Sequence, residues 1–186
     1  MKALDFVVSD KRIYENSILK KTMTQALRGI ALVDVLSKMY ISIITKRYTF
    51  YVEAVYLLPE NQAGFRAGYS TVDNAFVLYS IVYKYLNMKR KPVYVAFVDF
   101  IKGFDSVNHT KLFNVLQKNN IKGNLFNVIK SIYKSVKACV KTNEGVSDMF
   151  NCPVGLKQGC SLSPILFSLF INELYDLLVK HKTKGI

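Results

Sequence analysis

The sequence is short of cysteine, histidine and acid, and it has no long uninterrupted apolar run. Its three cysteines are Cys139, Cys152 and Cys160; none sits in a C-x-x-C pair, and the two histidines are far apart. A disulfide framework and a zinc site are therefore disfavoured, and reduced buried thiols in an intracellular protein are expected. Asp and Glu number 13 against 26 Lys and Arg, a formal net charge of +13. Such an excess favours a polyanionic partner, either nucleic acid or an anionic membrane surface. The N-terminus lacks an apolar core long enough for a signal peptide. The most apolar long segment, Leu162 to Val179, is interrupted by Pro164, Asn172, Glu173 and Asp176. It reads as an amphipathic buried helix rather than a membrane span. Internal repeats, low-complexity tracts and linkers are also missing, so 186 residues suit one domain or part of a larger one.

Half of the chain is hydrophobic, with 12 Tyr and 12 Phe, which argues against disorder. The basic residues are scattered, as in Lys20-Lys21, Lys46-Arg47 and Lys89-Arg90-Lys91, and no single run forms a basic tail. Residues 1 to about 28 show weak periodicity and read as a loosely held lead-in. Asp34 is placed to cap a helix whose Val35, Leu36, Met39, Tyr40, Ile43 and Ile44 share a face. Pro59 to Gly68 is a Gly-bearing loop or short hairpin. Ser70-Thr71-Val72-Asp73 resembles a capping box with Asp in place of Glu, and opens a helix through Ala75, Leu78, Tyr79, Val82 and Leu86. Pro92 starts a β-rich strand that ends on Asp99. Shorter helices are expected around Thr110 to Gln117 and Leu125 to Tyr133. Paired strands are expected at Val136 to Thr142 and Val146 to Cys152, about Asn143-Glu144-Gly145. A long helix from about Ser163 to Lys180 tolerates Pro164 in its first turn. The fold class is α+β, with helices packed on a small, mostly antiparallel sheet.

The most informative stretch is Val93-Tyr-Val-Ala-Phe-Val-Asp-Phe-Ile-Lys-Gly-Phe-Asp-Ser-Val107, read as a buried strand that delivers the Asp99 carboxylate to its end. Many α/β proteins end a core strand on Asp, so this feature alone does not decide a function. A carboxylate in this setting also suits an enzyme that holds Mg²⁺ against a triphosphate. Two further segments bear on the choice: Gly155-Leu-Lys-Gln-Gly-Cys-Ser-Leu-Ser-Pro164, and Gln62-Ala-Gly-Phe-Arg-Ala-Gly-Tyr-Ser-Thr-Val-Asp73. In order and wording the three resemble the reverse transcriptases of non-LTR (LINE-type) retrotransposons. That family has an acid-ending strand with a Lys-Ala-Phe-Asp tail, then Gly-x-x-Gln-Gly-x-x-Leu-Ser-Pro. Upstream it has Gln-x-Gly-Phe-Arg-x-Gly-x-Ser-Thr. Arg28-Gly-Ile-Ala-Leu-Val and Leu36-Ser-Lys-Met-Tyr40 are similar to its first fingers motif. The resemblance covers roughly residues 28 to 186.

It implies reverse-transcriptase-like fingers, about 28–90 and 109–154, and an incomplete palm, about 91–108 and 155–186. The implied chemistry is RNA-directed DNA synthesis: a primer 3′-hydroxyl attacks the α-phosphate of a dNTP, and pyrophosphate leaves. Mg²⁺, with Mn²⁺ as a substitute, is the implied cofactor; an RNA template, a DNA primer and dNTPs are the implied partners. Asp99 would bind metal, with the Phe100 carbonyl as a second ligand. Phe104 would lie under the incoming sugar and exclude a 2′-hydroxyl, its alternative being a core aromatic. Asp105 reads as a local cap or pairing partner. Gln158 and Gly159 would meet the incoming nucleotide and Lys157 the template. Arg66 would sit near template or triphosphate, a use that suits the bidentate guanidinium. Arg28 takes either a related part or a structural salt bridge.

The resemblance also breaks in places. No aromatic-Ala-Asp-Asp sequence occurs, and in the family that hairpin carries the other catalytic carboxylates. With Asp99 alone a two-metal displacement lacks its clamp. The chain by itself is therefore expected to be inactive, to need the rest of the polymerase polypeptide, and to self-associate through an exposed palm edge. Gly103 stands where the family has Ala and is expected to loosen that turn. Two other classes stay open: a non-catalytic nucleic-acid-binding remnant, and the product of a decayed element with no role. No membrane association is expected, and the resemblance implies a nuclear location.

Overall fold

The structure, a computed structural model, describes residues 5–9, 30–32, 34–142 and 145–181. Five helices occur among them: α1 (Val35–Ala54), α2 (Thr71–Tyr83), α3 (His109–Lys118), α4 (Gly123–Tyr133) and α5 (Ser163–Lys180). Five strands form one sheet: β1 (Asp5–Ser9), β2 (Ile30–Leu32), β3 (Lys137–Thr142), β4 (Gly145–Val146) and β5 (Phe150–Asn151). The sheet runs β2-β1-β3-β4, with β5 also on β3. Val7 faces Leu32 in the antiparallel β1–β2 pair and Cys139 in the parallel β1–β3 pair. Both β4 and β5 run antiparallel to β3, Lys141 opposite Val146 and Ala138 opposite Phe150. The mixed helix-and-sheet class is as expected. The lead-in, however, supplies a strand: Asp5–Ser9 lies against the full length of Lys137–Lys141.

Local chemistry explains most helix ends. The Asp34 carboxylate accepts from the Ser37 amide at 2.9 Å, and hydrogen bonding from the Ser37 side chain first, then from that amide, holds the carboxyl below its ordinary range. In α2 the capping box is complete: Ser70 Oγ accepts from the Val72 amide, and Asp73 Oδ2 from the Ser70 amide, each at 3.1 Å. Asn108 caps α3 by accepting from the Lys111 amide at 3.0 Å. At its other end Asn120 turns left-handed, with φ 60°, and the Ile121 amide returns to the Leu116 carbonyl at 3.0 Å. Ile121 and Leu116 are both buried, the apolar contact that accompanies this kind of helix stop.

The core lies where α1, α3, α4 and α5 meet. Its central side chains include Tyr48 and Val52 from α1, Leu112 and Leu116 from α3, Ile129 and Tyr133 from α4, and Leu166 and Leu169 from α5. Helix α1 presents a different face from the one expected. Ile41, Ile44, Tyr48 and Val52 point inward, whereas Val35, Leu36, Met39, Tyr40 and Ile43 are exposed. The sequence carries two apolar stripes at helical spacing, and periodicity cannot choose between them. Helix α2 buries none of its residues, and Val72, Phe76, Tyr79 and Tyr83 all face outward. A wider turn, Lys84–Met88, continues it.

The largest correction concerns Val93 to Asp99. The expected buried strand is not formed: residues 90–100 have no regular secondary structure. Tyr94 is 93% exposed and Phe97 85%. Between 92 and 101 no backbone group bonds to another among the described residues. A strand needs a neighbouring edge to satisfy its alternating N–H and C=O groups, and no described strand offers one here. The residue types are those of a strand; the described residues supply it no partner.

No helix among the described residues is long and apolar enough to cross a membrane. Cys139 and Cys160 are buried and Cys152 is partly so.

The exposed apolar side chains Tyr94, Phe97 and Val98, and those of α2, are expected to make the isolated chain self-associate. Light scattering across a concentration series should show growing mass, and Phe97→Lys with Tyr79→Lys should reduce it. A strictly monomeric wild-type chain at high concentration would contradict this.

Candidate functional site

Two irregular segments dock on one another through their backbones. The Gly155 amide donates to the Val107 carbonyl, and the Leu156 amide to the Phe104 carbonyl, each at 2.8 Å. Asn108 and Val154 add an antiparallel bridge. Gly155 has φ 95°, and a Cβ there would lie 3.1 Å from the Asp105 carbonyl oxygen. Close approach and a left-handed φ both require glycine at this point. Across the join, Gln158 Nε2 donates to Asp105 Oδ1 at 2.9 Å. Asp105 was expected to cap or pair locally; its partner here comes instead from the other motif, 53 residues along the chain.

Three aromatic rings tie in the third segment. Phe104 stacks on Phe167 of α5 with centroids 4.5 Å apart, and meets Phe65 edge-on at 5.8 Å. Phe65 belongs to the loop 59–69, which also reaches α5 through Gln62 Nε2 to the Ser168 carbonyl at 3.3 Å. Gly103 was expected to loosen its turn. In the structure a Cβ at that position would come within 3.0 Å of the Phe167 ring, so glycine lets that ring close over the turn.

Behind the docked loop lies a buried layer that the sequence reading did not single out. His109 Nε2 is 2.8 Å from the Gly155 carbonyl oxygen. The His109 ring meets Tyr133 edge-on at 5.3 Å. The Tyr133 hydroxyl is 3.2 Å from Ser163 Oγ, which donates to the Lys157 carbonyl at 2.8 Å. Burial pushes the Tyr133 hydroxyl well above the ordinary tyrosine range. The only sequence signal was a histidine at the start of an amphipathic helix, a pattern that many core histidines share.

Arg66 is committed within the fold. Its Nε and Nη2 donate to the two carboxylate oxygens of Glu53 at 2.9 and 2.6 Å, and its Nη1 to the Pro59 and Gln62 carbonyls at 2.8 and 3.2 Å. The guanidinium also lies over the Tyr69 ring at 4.2 Å, and the side chain is 6% exposed. The expected contact with template or triphosphate would require these bonds to open. This bidentate pairing, led by the Arg66 hydrogen bonds, holds the Glu53 carboxyl below its ordinary range. Lys157, expected to meet the template, is instead buried at 4% exposure, its Nζ 6.0 Å from the Tyr133 ring centre. A long side chain folded inward cannot present its ammonium to a template. Arg28 lies outside the described residues.

Asp99 precedes Phe100, which packs beside Gly103 at the edge of the docked unit. Asp99 is exposed on the irregular segment, and no hydrogen bond or ion pair holds its carboxylate among the described residues. Nor do three or more His, Cys, Asp or Glu side chains gather anywhere among those residues to hold a metal ion. One carboxylate and the neighbouring Phe100 carbonyl do not make a magnesium site, which needs a near-octahedral set of oxygens on a fixed frame. The residues present therefore do not fit the ion by themselves.

The sequence model for the family described as Reverse transcriptase (RNA-dependent DNA polymerase) matches residues 18–185. The chain belongs to the reverse transcriptase family. Its similarity extends to the probable RNA-directed DNA polymerase from transposon X-element of Drosophila melanogaster, 30% identical over 149 residues, covering 79% of this chain and 16% of that protein. The Pol polyprotein from type-2 retrotransposable element R2DM of the same organism is 25% identical over 171 residues, 90% of this chain and 16% of that one. The RNA-directed DNA polymerase from mobile element jockey of Drosophila funebris is 29% identical over 149 residues, 79% of this chain and 16% of it. The chain spans about a sixth of these curated relatives. The reverse transcriptase match begins upstream of residue 28, so it takes in Arg28 and part of the lead-in.

Two outcomes follow from this geometry. Gly155→Ala is expected to cost about 1–3 kcal/mol, because it adds a strained φ and a backbone clash at once; a denaturant titration measures it. The Glu53 carboxyl titrates lower when folded than when unfolded, so its contribution is present near neutrality and is lost as pH falls through the carboxylate range. Wild-type stability should therefore drop more steeply between neutral and acidic pH than that of Glu53→Gln. Parallel curves for the two proteins would remove the pair from the account.

Proposed function

We propose that the chain forms the fingers and part of the palm of an RNA-directed DNA polymerase that copies a retrotransposable element. In this reading the fingers comprise about 28–90 and 109–154, and the palm about 91–108 and 155–186. The polymerase adds dNTPs to a DNA primer 3′-hydroxyl along an RNA template and releases pyrophosphate. The observation that carries the reading is the bond between Gln158 and Asp105. It joins two family motifs 53 residues apart into one backbone-bonded unit, with Phe104 beside them. Phe104, Gln158 and Gly159 take the nucleotide-facing roles, Phe104 selecting deoxyribose by leaving no room for a 2′-hydroxyl.

Asp99 is proposed as one of the carboxylates that hold Mg²⁺ or Mn²⁺, the remaining ligands coming from other parts of the polymerase. The chain alone is then inactive, as a lone carboxylate on an unpaired segment suggests. Work at chromosomal DNA would place the enzyme in the nucleus. A second reading, nucleic-acid binding without catalysis, draws support from the net charge of +13 together with the isolated Asp99. It requires affinity that falls steeply with salt and ignores Asp99→Ala.

Primer extension on an RNA template, with Mg²⁺ and dNTPs, tests the proposal. The longer polymerase containing this chain should extend the primer, the chain alone should not, and Asp99→Ala should reduce the longer form to background. Extension that survives Asp99→Ala would overturn the assigned role of that carboxylate. No extension by the longer form would leave the binding reading in its place.

A further inference from the structure

We infer that His109 is a positioning residue for the loop that carries Gln158 and Gly159, with Tyr133 as its buried support. The functional side of this inference rests on the nucleotide-facing role proposed for that loop; the structural side does not.

The loop 153–160 has no strand ladder and only the bond from the Cys160 amide to the Lys157 carbonyl, at 3.1 Å, within itself, so its other buried polar groups need partners from elsewhere. Its amides at Gly155 and Leu156 are held by the turn that contains Phe104 and Val107. Its carbonyls are held from the opposite side. The Gly155 carbonyl can only accept, so the His109 Nε2 within 2.8 Å of it carries the proton and donates. Ser163 Oγ spends its one proton on the Lys157 carbonyl, so the Tyr133 hydroxyl must donate to Ser163. Of the carbonyls on either side of Leu156, that of Gly155 is thus held by His109 directly, and that of Lys157, which also accepts from the Cys160 amide, by Tyr133 through Ser163. The two aromatic rings are in edge contact at 5.3 Å, which sets the His109 ring plane.

The His109 ring itself is placed by the fold, at the first residue of α3 directly after the Asn108 cap. It is 7% exposed, so water is a poor substitute donor for the Gly155 carbonyl. Gln158 follows three residues later and must reach Asp105 across the join. A loop held only by its amides can pivot about them, and Gln158 would then lose its fixed distance from Phe104. A ring that merely filled space would be replaceable by phenylalanine. A donor that positions the loop would not.

Amide hydrogen exchange on the full chain separates these cases. Wild type is compared with His109→Phe, which keeps a ring against Tyr133, and His109→Gln, which keeps an N–H donor. In His109→Phe the amides of residues 155–160 should exchange about tenfold faster, the size of one lost hydrogen bond. Those of α3 and α4 should not change, and His109→Gln should recover most of the protection. Tyr133→Phe, which removes a single oxygen, should give a weaker effect in the same peptide and serves if His109→Phe does not fold. Unchanged loop exchange in the phenylalanine variants would overturn the inference. So would loosening spread through α3 and α4 that glutamine does not reverse. In primer extension by the longer polymerase, His109→Phe should raise the dNTP KM by more than it lowers kcat, and His109→Gln should restore it. If wild type extends no primer, the proposed polymerase function fails while the exchange result still decides the role of His109.

Discussion

The docking of Gly155 and Leu156 onto the turn from Phe104 to Val107 is the interaction on which the rest of the site depends. Two backbone hydrogen bonds, made possible by a glycine with nothing at Cβ, bring together segments that are far apart in the chain. Every other contact at the site presupposes that approach. Gln158 can reach Asp105, Phe167 can cover Phe104, and His109 can reach the Gly155 carbonyl only because the two backbones already lie side by side. The docking in turn rests on the core behind it, since α3 and α5 start from the two docked segments and bury Leu112, Leu116, Leu166 and Leu169 together.

The opposite situation holds on the other side of the turn. The segment from Val93 to Asp99 has strand composition and helix α2 has an apolar composition, yet neither finds a partner among the described residues. Side chains such as Tyr94, Phe97, Phe76 and Tyr79 remain in solvent as a result. A sheet edge and a second apolar layer would satisfy both at once, and the relatives are several times longer than this chain. Asp99 lies at the end of this unsupported stretch. Among the described residues no strand pairs with that stretch, and no group of three or more metal-ligating side chains forms.

Arg66 shows how residue type underdetermines use. The same planar fork that suits a triphosphate suits a carboxylate, and here Glu53 on α1 takes it, with two carbonyls and the Tyr69 ring completing the shell. The pair staples the loop 59–69 to α1, and through Phe65 that loop borders Phe104. Arg66 therefore acts on the site through the placement of Phe65. Lys157 is parallel: its motif position pointed to a template, while the fold turned the side chain toward Tyr133 and used the carbonyl instead.

Local order was legible in the residues themselves. The Asp34 cap, the Ser70–Asp73 box, the α3 and α4 helices and the long α5 with Pro164 in its first turn all depend on neighbours within four positions, where sequence spacing is geometry. The family was legible too, because its motifs are runs of specific residues in a set order. What the residues could not decide were the relations between distant segments. Which stripe of α1 faces inward, whether Val93 to Asp99 has an edge to pair with, whether Asp5–Ser9 joins the sheet, and that Glu53 claims Arg66 all turn on what is brought alongside. A helix face, a strand edge and a guanidinium each accept several partners of nearly equal local energy, and only tertiary packing selects among them.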